Sequence, residues 1–282
     1  MPPRFVAWGV SENKRNGTQN ARDRLKEQRE RDKAREKQRR VLIVSAAVVG
    51  VLGLAAVVGV IAAGGDKNSG SDKAGPVVAP TAATNEDGKP AIPTGQAGAP
   101  STLAVWEDFR CPACAQFENV MRDAVHELQA SGALKVDYHL ATLIDGNMGG
   151  SGSLRAANAA ACAQDAGKFT AYHDTLYVNQ PPETDDAYGK NAKLIELAAK
   201  VPGLDTPAFR SCVNDGTHDG WVKKSHEAFQ NGGFRGTPSV LLNGESIFPT
   251  KGNEQISPAN LKKWVAEANK GKEPGTASPS GS

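Results

Sequence analysis

Apolar positions along the chain fall into three regimes. They are continuous from residue 41 to 63, mixed in period from about 102 to 140, and helical in period from about 153 to 232. Thr102–Asp108 (TLAVWED) is a short apolar run suited to a buried strand. Phe117, Val120, Met121, Ala124, Val125 and Leu128 then recur at three- and four-residue intervals, the mark of an amphipathic helix, which Ser131-Gly132 stops. Leu134–Leu140 alternates apolar and polar, as a strand does. The long helical block that follows is broken by Pro181-Pro182 and Pro202-Gly203. Two strands, 239–242 and 245–248, flank an Asn243-Gly244 turn. A last helix opens with Ser257 as N-cap and Pro258 at its first position, ahead of Leu261, Trp264, Val265 and Ala268 on one face. The pattern predicts an α/β body over 101–270, its sheet interrupted by a helical insert at about 151–232, and hence two lobes.

Residues 41–63 contain no charged side chain. As a helix this run measures roughly 34 Å, enough for a hydrocarbon core of about 30 Å. Arg39 and Arg40 abut it, and residues 1–40 carry 13 Lys/Arg against 6 Asp/Glu. Positive charge stays on the cytoplasmic side, so the expectation is a single transmembrane anchor in the cell membrane, with a basic cytoplasmic segment at 1–40 and an extracytoplasmic body. The alternative is a cleaved secretory signal, whose apolar region is usually about 7–15 residues. Residues 64–100, of which 24 are Gly, Pro, Ala, Ser or Thr, read as a flexible linker, and 271–282 as a disordered tail.

The chain is 282 residues long and 39% hydrophobic, which excludes a wholly disordered or collagen-like protein. Its net charge of +2 hides a segregation: residues 101–282 hold 17 Lys/Arg against 21 Asp/Glu. An acidic body argues against a nucleic-acid partner.

Two of the four cysteines form Cys111-Pro112-Ala113-Cys114 at the start of the first body helix. A helix N-terminus offers free N–H groups and a partial positive charge, which stabilise a thiolate. Cys111 is thus the expected exposed nucleophile. Cys114, one turn on and deeper, closes the disulfide, and Pro112 suits a first turn where a missing N–H costs nothing. A zinc site needs two further closely spaced ligands, and a purely structural bridge within CPAC is the other alternative. Cys162 and Cys212, on separate helical segments, are expected to pair as a structural bridge in an oxidising compartment, against a second redox pair or two free thiols. The five histidines show no metal spacing, so no metal is expected.

EDFRCPACAQFE, HDTLYVNQ, AFRSC and GFRGTPSVLLNG make the stretch 102–269 resemble the DsbA-like thiol–disulfide oxidoreductases. The bridge between Cys162 and Cys212 is similar to that of the family's actinobacterial branch. The resemblance implies a thioredoxin fold with an inserted helical domain. It implies a cis bond at Thr237-Pro238 facing the cysteines and binding extended substrate. It also implies unfolded, cysteine-bearing exported proteins as clients, a quinone-linked integral-membrane partner for re-oxidation, and no cofactor. Disulfide reduction, isomerisation and non-catalytic chaperoning remain open alternatives. Two departures stand out. Many relatives carry a buried acid six residues before the first cysteine, where this chain has Val105, leaving Glu107 and Asp108 as the nearby acids that tune the site. The dipeptide Pro112-Ala113 lacks the histidine of strongly oxidising relatives.

Overall fold

The computed structural model describes residues 76–276. A six-stranded sheet is built from β1 (Thr84–Glu86), β2 (Lys89–Gly95), β3 (Ser101–Glu107), β4 (Leu134–Leu140), β5 (Ser239–Leu242) and β6 (Glu245–Ser246). Their spatial order is β1-β2-β4-β3-β5-β6. β3 and β4 are parallel, joined across the sheet by α1 (Pro112–Ala130), while β5 runs antiparallel to β3. The helical insert comprises α2 (Leu143–Met148), α3 (Gly152–Asp165), α4 (Phe169–Val178), α5 (Asn191–Ala198), α6 (Pro207–Asp215) and α7 (Asp219–Asn231). A small hairpin of β7 (Thr250–Lys251) and β8 (Glu254–Gln255) precedes α8 (Pro258–Ala268). This is the expected thioredoxin-type α/β core with inserted helices. Ser257 caps α8, its hydroxyl accepting the Asn260 N–H.

Three expectations need correction. The stretch 64–100 is not a linker throughout: β1 and β2 form a hairpin, and β2 pairs with β4 inside the main sheet, burying Ala91 and Ile92. Asp87 and Gly88 both have positive φ (52° and 73°), as a two-residue hairpin turn requires. Just before it, the Thr81 N–H and hydroxyl donate to Asp165 Oδ1 at 2.7 and 2.9 Å. The supposed tail is held as far as Gly275, whose N–H donates to the Gly132 carbonyl. The two lobes share one core, since Leu103 and Val136 of the sheet belong to the same buried cluster as Tyr172, Leu176 and Leu194 of the insert. Part of the reason is α7, which lies on β2 and β4 as a sheet layer. The basic segment, the apolar run 41–63 and residues 64–75 lie outside the described residues. Among the described residues no helix is long and apolar enough to cross a membrane.

Alternation along β3 sends Trp106 to one face, stacked on His139 at 3.9 Å and near Phe229 of α7. It sends Leu103, Val105 and Glu107 to the other. That parity puts a carboxylate beneath α1.

Candidate active site

β3 ends at Glu107, and four residues carry the chain to the mouth of α1. Both Asp108 oxygens are used in fixing that loop: Oδ1 accepts the Arg110 N–H and Oδ2 the Ile144 N–H, each at 2.8 Å. The Asp108 carbonyl accepts the Cys111 N–H. Gln180 donates to the carbonyls of Phe109 and Cys111 at 2.9 and 3.0 Å. Arg110 is buried. Its guanidinium bonds Asp145 at 2.7 Å and the carbonyls of Gly149 and Glu183, with Asp186 at 3.2 Å. Gly150 (φ +98°) is required beside it: a Cβ there would meet Arg110 Nη1 at 2.9 Å. The loop is therefore clamped from the insert, and Pro112 enters α1 in its first turn.

Cys111 and Cys114 are free thiols, 6% and 0% accessible. Cys111 is shallower than its partner but far less open than expected. Its pKa is lowered from 9.0 to about 6, first by the Cys114 thiol donating to its sulfur, against the opposing effect of burial. The N–H groups of Cys114 and Ala113 add to the lowering. The helix N-terminus expected to ionise Cys111 thus acts through two N–H groups and ranks behind a neighbouring sulfur. Burial drives Cys114 the other way, well above the ordinary thiol value, and the Cys111 sulfur and the Glu107 charge add to that rise. The Thr237-Pro238 bond is cis, and the Thr237 carbonyl lies 3.2 Å from Cys111 Sγ. Beside Ala113 runs an apolar groove of about 220 Å³, walled by Phe117, Val120, Met121, Phe248 and Ile256.

Behind Cys114 lies a buried group that sequence reasoning did not assemble. Glu107 Oε1 is 2.8 Å from His173 Nε2, with both side chains inaccessible. Burial opposes a charge on His173, but the Glu107 and Asp174 carboxylates overcome it and hold the imidazolium up to about 10. Glu118 is pushed well up, by burial first and by the Glu107 charge second. Val105 is buried and apolar, so the acid of this site stands at 107. Asp108, raised to about 7 by burial against its two N–H donors, completes the acidic surroundings. One signal was available: Glu118 falls four residues after Cys114 and three before Met121, on the buried stripe of α1. Arg110, His173 and Gln180 lie inside the EDFRCPACAQFE and HDTLYVNQ stretches, but what each does there was hidden because its partners are remote in sequence.

Cys162 and Cys212 are joined by a disulfide that ties α3 to α6, 50 residues apart.

The family profile described as thioredoxin matches residues 87–267, starting inside the β1–β2 hairpin. The "Probable disulfide bond formation protein D" of Bacillus cereus is 26% identical over 158 residues, 55% of this chain and 71% of that protein. Two solved structures from Mycobacterium tuberculosis are 28% identical: a reduced disulfide bond oxidoreductase, DsbG, and oxidised DsbA. Each superposes with a TM-score of 0.53 over 63% of this chain, covering 86% of the first and 92% of the second. With a helix-mouth dithiol facing a cis-proline loop and this match over most of the body, the chain belongs to the thioredoxin family, as a DsbA-like thiol–disulfide oxidoreductase.

Proposed function

We propose that this protein is a membrane-anchored oxidase that introduces disulfides into unfolded, cysteine-bearing exported proteins. The observation that carries this reading is the split between two sulfurs three residues apart, Cys111 at about 6 and Cys114 driven well above its ordinary value. A stabilised Cys111 thiolate favours the reduced dithiol, which makes the Cys111–Cys114 disulfide an electron acceptor. A substrate thiolate attacks Cys111 Sγ and the bond to Cys114 breaks. A second substrate thiolate then attacks the substrate sulfur of the mixed disulfide and expels Cys111. Two electrons pass to the enzyme, and the client leaves oxidised. The backbone at Thr237-Pro238 aligns an extended client segment, and the groove beside Ala113 takes its apolar side chains.

Residues 41–63 cross the lipid bilayer once, with 1–40 cytoplasmic and the body outside the cytoplasm. Their uncharged length and the flanking Arg39 and Arg40 support this placement. A quinone-linked integral-membrane protein re-oxidises the dithiol, and a shared membrane raises the effective concentration of the two. The names of the Bacillus and Mycobacterium relatives support the redox chemistry.

Catalytic amounts of the full-length protein with an oxidant are expected to restore the disulfide of a reduced two-cysteine client. The reduction potential should lie toward the oxidising end of the superfamily. A potential near thioredoxin's, about −270 mV, or a client refolding no faster than with oxidant alone, would overturn the reading.

A further inference from the structure

Pro181-Pro182 breaks the helical pattern of the insert between α4 and α5 and takes no part in the sulfur chemistry. In the fold it lies between two grips on the redox loop. Just before it, the Gln180 carboxamide donates to the Phe109 and Cys111 carbonyls at 2.9 and 3.0 Å. Just after it, the Glu183 carbonyl accepts from Arg110 Nη2 at 3.2 Å. Each proline has a fixed φ, so the spacing between the grips is stiff. The Asp185 N–H then closes a turn onto the Pro182 carbonyl at 2.8 Å, and Asp186 Oδ1 stands 3.2 Å from Arg110 Nη1. Residues 180–186 form a bracket that meets the redox loop through Gln180, Glu183 and Asp186.

Arg110, the residue before Cys111, is what the bracket holds. Its side chain is buried, and Nη1 also donates to Asp145 Oδ1 at 2.7 Å and the Gly149 carbonyl at 2.8 Å. Its charge is neutralised locally. Asp186 accepts the N–H groups of Ser151 and Gly152, and Asp145 those of Ser153 and Leu154. The positive mouth of α3 and the guanidinium therefore face one another across the same two carboxylates. What remains for Arg110 to give its neighbour is position. The Cys111 carbonyl is held by Gln180, its N–H by the Asp108 carbonyl at 2.9 Å, and its Sγ lies 3.2 Å from the Thr237 carbonyl. We propose that Arg110 is a positioning residue for disulfide exchange: gripped by the bracket 180–186 and by Asp145, it holds Cys111 Sγ in line with a client thiol aligned on the Thr237-Pro238 backbone. The proposal rests on the client-alignment reading above. In the step concerned the client thiolate bonds to Cys111 Sγ, and the Cys111–Cys114 bond breaks with its electron pair leaving on Cys114. Arg110 exchanges neither proton nor electron. Attack needs the three sulfurs in a line, so a displaced Cys111 penalises a client held at a fixed place more than a small thiol free to follow it. A misplacement on the order of 1 Å can cost about 100-fold.

The test is the rate at which the oxidised full-length protein captures a thiol at Cys111, measured by stopped flow with an extended single-cysteine peptide and with 2-mercaptoethanol. The readout is the ratio of the two rates, which a loss of overall stability alone does not move. The wild-type protein is expected to favour the peptide, and the ratio to fall roughly tenfold in both Arg110→Met and Arg110→Lys. Lysine keeps the charge but has no planar fork to reach Asp145, Gly149 and Glu183 together, so it should not rescue. A wild-type ratio in Arg110→Met would overturn the proposal. Full rescue by Arg110→Lys would do so too, since charge and not the fork would then be at work, as would a wild-type protein with no preference for the peptide. If neither variant folds, Pro181→Gly/Pro182→Gly decides: a roughly threefold fall in the ratio supports the bracket, and an unchanged ratio overturns it. A wild-type protein that favours the peptide but oxidises no two-cysteine client sinks the oxidase reading and leaves the positioning role standing.

Discussion

The molecule holds two pairs of cysteines in opposite circumstances. Cys111 and Cys114 sit three residues apart at a helix mouth, where one sulfur is charge-stabilised and the other denied charge. Cys162 and Cys212 join two helices of the insert across 50 residues. The first pair is free, and the second is closed as a disulfide. The same element thus serves exchange in one place and cohesion in the other, and the difference lies in which donors surround the sulfur and in how much chain each bond closes.

The sharpest way to break this contrast is substitution. Cys111→Ser is expected to abolish client oxidation outright, measured as disulfide formation in a reduced client, while Cys162→Ala/Cys212→Ala leaves capture at Cys111 unchanged. That double substitution should instead lower folding stability by about 4 kcal/mol, read from denaturant midpoints, because a 50-residue loop is released in the unfolded chain. A double variant that lost exchange without losing stability would erase the distinction.

A subtler probe is acidity. Cys111 has a folded-state pKa of about 6 against an ordinary 9.0, a depressed acid. Its contribution to the stability of the reduced form is therefore fully present above about 9 and lost as pH falls through about 6. The melting temperature of the reduced protein is expected to gain on that of the oxidised protein as pH rises across this window. In Cys114→Ala the leading donor to Cys111 is gone, so iodoacetamide alkylation of Cys111 should reach half-maximal rate at higher pH than in wild type. The smallest effect concerns the loop alone: Gln180→Ala removes two hydrogen bonds to carbonyls and should cost about 1 kcal/mol in a denaturant melt.

What the sequence disclosed follows the reach of each interaction. β3, α1, β4 and the capped α8 were legible because periodicity, Pro112 and Ser257-Pro258 are local signals. The Cys111–Cys114 pair was legible for the same reason. The β1–β2 hairpin was missed because Pro90 and Pro93 flank a two-residue apolar centre that composition alone cannot distinguish from a spacer, although Asp87-Gly88 was a usable turn signal. The acid–imidazole pair was out of reach: Glu107 and His173 are 66 positions apart and meet only when α4 packs on α1. The resemblance points to position 105 for an acid, yet alternation along β3 puts residue 107 on the same face one step nearer the cysteines.

Short border strands have a further consequence. β1 spans three residues and β6 two, and these are the margins of the six-stranded sheet. A protein that handles unfolded chains is surrounded by segments ready to template onto any long unpaired strand. Margins this brief offer almost no ladder to extend, so a passing client finds little purchase for unproductive, self-propagating association.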